Sequence, residues 1–262
     1  MTARELALTA LVQRRDVGFS GAVVVREITE STNDDAKQLA RDGSPSGSFV
    51  IADCQTRGRG RSGNVWHSPP GANLYLSIVL RPGFESAKAP AFALATGCVV
   101  ASAIERRLGE ATARVRIKWP NDVFADEKKI AGILIEALLR GEVLGSIVVG
   151  IGVNLATTEL PPELEQHATS LALLGVSGDG LDRDTLAAEL AVELGEAVRR
   201  YEHDALASFA GDLAARDALR GRRVRVLDVE GVADGIEADG RLAIVGADGQ
   251  RRFVGSGHVE LL

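Results

Sequence analysis

Gly58, Gly60 and Gly63 stand in G-x-G-x-x-G spacing, and two adjacent prolines, Pro69 and Pro70, follow soon after. That combination restricts the fold sharply. A dinucleotide-binding turn needs a strand before the glycines and a helix opening directly after them, so that the pyrophosphate meets the helix N-terminus. The strand is legible in "SFVIADCQT", but Trp66, Ser68, Pro69, Pro70 and Gly71 occupy the place of the helix, and the next segment, "NLYLSIVLRP", reads as another strand. A pyridine-nucleotide oxidoreductase is therefore disfavoured, and residues 57–67 read as an extended glycine–arginine loop between two strands. Arg59 and Arg61, two residues apart, suit a loop that closes over an anionic ligand, since each guanidinium donates paired hydrogen bonds to carboxylate or phosphate. A solvated surface loop is the plainer alternative.

Charge narrows the ligand. The chain has 262 residues, a formal net charge of −6 and a pI near 5.4, with its basic residues concentrated locally. A small anionic ligand fits this pattern better than a long polyanion. A nucleic-acid-binding module built on "RGRGR" would also want interleaved aromatics as stacking platforms, and these are missing. The longest apolar run, about Ala89 to Ile104, is interrupted by Thr96, Gly97 and Ser102 and is too short to span a bilayer. No leader peptide is apparent, and Cys54 and Cys98 have no metal-type spacing, so reduced thiols and a cytoplasmic setting are expected.

Along the chain, "AVVVREI" (22–28) reads as a strand. The helix "STNDDAKQLARDG" follows, with Ser31 or Thr32 as N-cap and Gly43 just past its end. Residues 90–108 form an apolar, buried helix closed by Gly109. "RVRIKWP" and "KIAGILIEALL" read as a hairpin around Asp126–Glu127, and "VLGSIVVGIGVNL" as a strand whose glycines admit a close neighbour. Residues 183–219 read as helical, with Leu186, Leu190, Leu194 and Val198 on one face. From Gly221 the pattern changes to short alternating strands with Asp-Gly turns at 234–235, 239–240 and 248–249, which predict a small β-barrel. The expected division is an α+β domain over 1–219 and an all-β domain over 220–262.

A second constellation is "KWPNDVFADEKKIAGILIE", 118–136. Pro120 fixes the backbone after a strand, so Asn121 and Asp122 sit at a strand end, where Asp122 suits Mg²⁺ on a nucleotide phosphate. Lys129 would place a cation nearby. Turn capping for Asn121–Asp122, and a solvated charge for Lys129, are the plainer alternatives. His67, beside Trp66, reads as a loop residue rather than a base.

Together, "GRGRSGNVWHSPPGANLYLS" and "KWPNDVFADEKKIAGILIE" resemble the biotin protein ligases. "ESTN" (30–33), "GIGVNL" (150–155) and the terminal β-barrel fall in the expected order, so the resemblance covers nearly the whole chain from about residue 22. It implies a mixed-sheet catalytic domain of the biotin/lipoyl ligase type followed by an SH3-like barrel. It also implies an enzyme that uses ATP and Mg²⁺ to make biotinyl-5′-AMP and then biotinylates a lysine of a biotin carboxyl carrier domain. Carried over by position, Ser31, Thr32, Asn33, Gln55, Arg59, Gly60, Arg61, Lys129 and Gly132 would bind biotin. Arg61, Trp66, Asn121, Lys129 and Asn154 would bind nucleotide. Lys129, Arg61 and Asp122 would be catalytic, with Asp122 also the metal-side carboxylate. Ser62 and Asn64 depart from relatives that are basic there. About twenty residues precede the first strand, too few for the helix-turn-helix repressor domain of bifunctional relatives, so DNA is not an expected partner. A monomer or weak homodimer is expected. A lipoate or octanoate ligase of related fold is the nearest competing reading.

Overall fold

The computed structural model describes residues 1–16, 19–109 and 113–262. Seven strands of the described residues form one sheet in the order β1-β2-β3-β7-β6-β5-β4. They are β1 (Val23–Thr29), β2 (Phe49–Gln55), β3 (Leu74–Leu80), β4 (Val115–Lys118), β5 (Asp122–Ala125), β6 (Lys128–Arg140) and β7 (Val143–Val153). Only β1 and β2 run parallel, so the sheet is mixed, as expected. The helices are α1 (Ala3–Gln13), α2 (Thr32–Arg41), α3 (Phe92–Leu108), α4 (Arg183–Asp204) and α5 (Ala210–Arg216).

Strand alternation sends successive side chains to opposite faces. On one face Leu74, Leu76, Ile78 and Leu80 of β3 join Ile147, Val149, Ile151 and Val153 of β7 in a core covered by α1, α3 and α4. On the other face Val50, Val79 and Val148 pack under Ala36 and Ala40 of α2, a much smaller cluster that leaves the rest of that face open. Among the described residues no helix is long and apolar enough to cross a membrane.

The second sheet is antiparallel, in the order β11-β10-β9-β8-β12, and fits an SH3-like domain. It comprises β8 (Arg223–Val226), β9 (Val229–Ile236), β10 (Leu242–Val245), β11 (Arg251–Val254) and β12 (Val259–Leu261). It docks beside the first sheet: Trp119 Nε1 donates to the carbonyl of Gly240, between β9 and β10, at 2.9 Å, and the segment leading into it is tied down by Ala218 N–H on the Ile117 carbonyl at 3.0 Å.

Several expectations are corrected. The turn at Asp126–Glu127 is present, both residues having positive φ, but it joins β6 to the short strand β5 rather than to β4. The chain folds back once more at Trp119–Asn121, and four-residue strands are too short to show a period. Asp122 does sit at a strand end as expected, as the first residue of β5, paired with Gly132. The stretch 183–219 is not one helix. Ala205, at φ +50°, ends α4, and a 3-10 turn carries Leu206 and Phe209 into the core before α5. Gly235 lies inside β9, near a register shift against β10, so Asp234–Gly235 marks an irregularity and not a hairpin turn. The turns at 239–240 and 248–249 are as expected. Helix α1 is an addition, capped by Thr2, which bonds Glu5 N–H while the Glu5 carboxylate accepts from Thr2 N–H.

Candidate active site

On the open face, between α2, the 57–67 loop, the β4–β5 turn and one end of the second sheet, lies a cavity of about 520 Å³. Its inner end is built on the start of α2. Ser31 occupies the N-cap without a side-chain capping bond, and Thr32 N–H donates to Gln55 Oε1 at 2.9 Å. Gln55 Nε2 in turn donates to Ser68 Oγ at 3.0 Å, which ties β2 to the far end of the glycine–arginine loop. Asn33, buried, receives the Ser77 hydroxyl on Oδ1 at 2.6 Å and donates from Nδ2 to Glu136 at 2.8 Å.

Glycines make this depth possible. Gly132 of β6 and Gly152 of β7 are register partners, and the Trp66 ring lies against both. A Cβ on Gly132 would stand 2.8 Å from Trp66 Cζ3, and one on Gly152 would collide with the indole outright. Among the described residues the buried Trp66 Nε1 has no hydrogen-bond partner.

The outer end is cationic. Lys129 Nζ lies 2.7 Å from Asp122 Oδ1, close enough for an ion pair although the angles are not those of a hydrogen bond. It also sits 5.2 Å from the Trp66 ring centre. Arg61 donates to Asn121 Oδ1 at 3.3 Å, and Asn121 Nδ2 is anchored on the Ile133 carbonyl at 2.8 Å. Burial pulls the Arg61 guanidinium below its usual pKa, with Asp122 opposing. Burial likewise lowers Lys118, the effect of Asp122 opposing and that of Lys129 adding. Cations held at such a desolvation penalty are poised for anions. Arg59 is turned to the rim, on Asp34 at 2.7 Å and Glu136 at 3.1 Å, while Arg57 pairs with Glu30. These contacts clamp the loop over the cavity mouth.

Residues 25–154 match the biotin/lipoate A/B protein ligase family. The bifunctional ligase/repressor BirA of Escherichia coli (strain K12) is 36% identical over 229 residues, 86% of this chain and 69% of that protein. The chain belongs to the biotin protein ligase family. The biotin–[acetyl-CoA-carboxylase] ligase of Mycobacterium tuberculosis (strain H37Rv) is 35% identical over 82% of this chain and 80% of its own length. The match to the Bacillus spizizenii BirA, at 37% identity, spans only about half of that relative, 49%. In three dimensions the family member from Aquifex aeolicus, solved with biotin and ATP, superposes with a TM-score of 0.76 at 27% identity, over 93% of this chain and 99% of that one.

Within this family fold, the cavity gathers Ser31, Thr32, Asn33, Gln55, Arg59, Gly60, Arg61, Trp66, Asn121, Asp122, Lys129 and Gly132, every expected site residue but one. Asn154 lies outside it: its Nδ2 donates to the Thr169 carbonyl at 2.9 Å and its backbone carbonyl accepts from Leu171 N–H, so it pins the segment after β7. Sequence reasoning passed over Lys118, although it begins the "KWPND" motif. It also missed Gly257 and His258, which enter from the second sheet.

Proposed function

We propose that the protein is an ATP-dependent biotin protein ligase. The observation that carries this reading is one cavity whose inner end is a buried polar, glycine-floored slot and whose outer end holds Arg61, Lys118 and Lys129. A neutral ring with N–H and carbonyl groups suits the first, and a carboxylate meeting a triphosphate suits the second. In the first step the biotin carboxylate attacks the α-phosphorus of ATP, the new C(O)–O–P bond replaces the bond to pyrophosphate, and pyrophosphate leaves. Both reactants are anions, and the three cations offset their repulsion and stabilise charge developing on the phosphorus oxygens. In the second step a neutral lysine amine of a biotin carboxyl carrier domain attacks the acyl carbon, giving an amide and AMP. No side-chain nucleophile is needed, and the loop clamped by Arg59 keeps water from the mixed anhydride. The requirement for ATP supports a cytoplasmic setting.

For Mg²⁺ the donor set fits. Among the described residues no cluster of three metal-ligating side chains exists, yet Mg²⁺ on a nucleotide takes only one or two carboxylates plus phosphates and waters. Asp122, the carboxylate lining the outer end of the cavity and paired there with Lys129, would hold it. Bound there, the ion would supply Lewis-acid charge to the phosphates. Asp122 otherwise holds Lys129 at the cavity, and Asn121 holds Arg61.

Pyrophosphate release, followed by mass spectrometry for the adenylate, tests the proposal with biotin and with lipoate, in wild type and Lys129→Ala. Biotin-dependent adenylate that falls by at least about 100-fold in the variant is expected, the loss of a charged transition-state contact. Adenylate formed only with lipoate would move the substrate to the competing acid.

A further inference from the structure

We infer that Glu136 sets the hydrogen-bonding polarity of the proposed biotin slot by fixing which end of the Asn33 amide faces the ligand. The inference rests on the biotin reading above. Asn33 is 4% exposed, and among the described residues its side chain has two polar partners. One is the Ser77 hydroxyl, which both donates and accepts and so tolerates either orientation of the amide. The other is a Glu136 oxygen, which as a carboxylate only accepts. Ser77 also lies 2.7 Å from Thr32 Oγ1 and can give its one proton there or to Asn33, so it is the Glu136 carboxylate that decides that Nδ2 points away from the slot floor and Oδ1 toward it.

The surroundings hold this arrangement. Glu136 Oε1 is 2.5 Å from Lys37 Nζ and Oε2 is 3.1 Å from Arg59, so two cations neutralise a carboxylate whose side chain is only 26% exposed. Ser77, Gly150 and Leu134 are register partners across β3, β7 and β6, and Glu136 lies two residues beyond Leu134, on the same face. Gly150 is what lets Asn33 come down onto the sheet, since a Cβ there would collide with Oδ1. With Oδ1 presented, its second lone pair meets a ligand N–H. A cyclic urea offers such an N–H on each side of its carbonyl. The flipped amide would set N–H against N–H. Glu136 is thus a positioning residue, acting on the ligand through Asn33.

The test is calorimetric titration with biotin, without ATP, into wild type, Glu136→Gln, Asn33→Asp and the double variant. Glutamine both donates and accepts, so Glu136→Gln leaves the amide free to face either way, and Kd rises about tenfold. Asp34 still holds Arg59 in that variant, so the loop stays clamped. Asn33→Asp sets two carboxylates against each other and weakens binding at least as much. The double variant restores one donor–acceptor pair, with the introduced glutamine amide now donating and an oxygen at position 33 still facing the slot, and it recovers to within about threefold of wild type. Loss of packing alone gives no such recovery. Wild-type affinity in Glu136→Gln, or a double variant no better than Asn33→Asp, overturns the inference. A wild-type protein that does not bind biotin overturns the biotin reading itself, before any variant is compared.

Discussion

The two faces of the large sheet are made by alternate residues of the same strands, and they have opposite chemistry. Toward α3 and α4, β3 presents Leu74, Leu76, Ile78 and Leu80; toward α2 it presents Tyr75, Ser77 and Val79. On β7 the first face carries Ile147, Val149, Ile151 and Val153, and the second carries Val148, Gly150 and Gly152. One face buries area continuously and supplies the stability. The other gives up side-chain volume for depth and hydrogen-bonding groups. The pleat lets both demands be met in seven residues of strand. Stability and ligand binding should therefore be separable by moving one position along the chain.

The largest effect should come from the packed face. Leu76→Ala, at a fully buried position, should lower unfolding free energy by about 3–5 kcal/mol in a denaturant titration. Its biotin affinity, measured well below the melting temperature, should stay within about twofold of wild type. A large loss of affinity there would join the two faces again. Gly152→Ala, on the open face, should do the reverse. The added methyl meets the Trp66 indole, the ring must shift, and adenylate formation should fall about 10- to 100-fold, as expected for 1–3 kcal/mol of overpacking. A wild-type rate in Gly152→Ala would mean that the indole has free room, contrary to its contact with both glycines.

Between the sheets, Trp119→Phe removes the donor to the buried Gly240 carbonyl and leaves a small void. A stability loss of roughly 1–2 kcal/mol should appear in thermal unfolding. If the second sheet only rests beside the site, KM for ATP should not change with it. The His258 and Gly257 lining predicts a rise instead, which steady-state kinetics will read.

This contrast also explains what was legible in the chain. The open face was readable because its groups are local: "ESTN", the glycine–arginine loop and "KWPND" each bring several lining residues at once. Lys118 was in plain view but lacked a reason until its burial beside Asp122 and Lys129 was known. Glu136 carried a signal in being the one acid within "AGILIEALL", an apolar strand, where a charge needs partners. Gly257 and His258 carried none, because only docking of the second sheet brings them to the cavity. In the fold, Thr2-x-x-Glu5 ahead of Leu6 and Leu8 was a readable capping box for α1. The break at Ala205 was not readable, since alanine favours helix and tertiary packing of Leu206 and Phe209 overrides it.

The smallest effect concerns Lys118 and distinguishes the faces by pH. Burial disfavours its charged form, with Asp122 opposing, so its pKa falls below the ordinary 10.5. In the alkaline window between the lowered value and 10.5, the unfolded chain binds the proton more readily than the folded one. Stability contributed by this group therefore rises with pH through that window. Binding of an anionic substrate runs the other way, because the cation is discharged as pH rises through the lowered value. Wild-type KM for ATP should accordingly climb a few-fold as pH approaches 10.5. Lys118→Arg keeps its charge throughout and should give a flatter profile. Parallel profiles in the two proteins would show that Lys118 does not face the nucleotide. The cation count at the outer end of the cavity would then fall to Arg61 and Lys129.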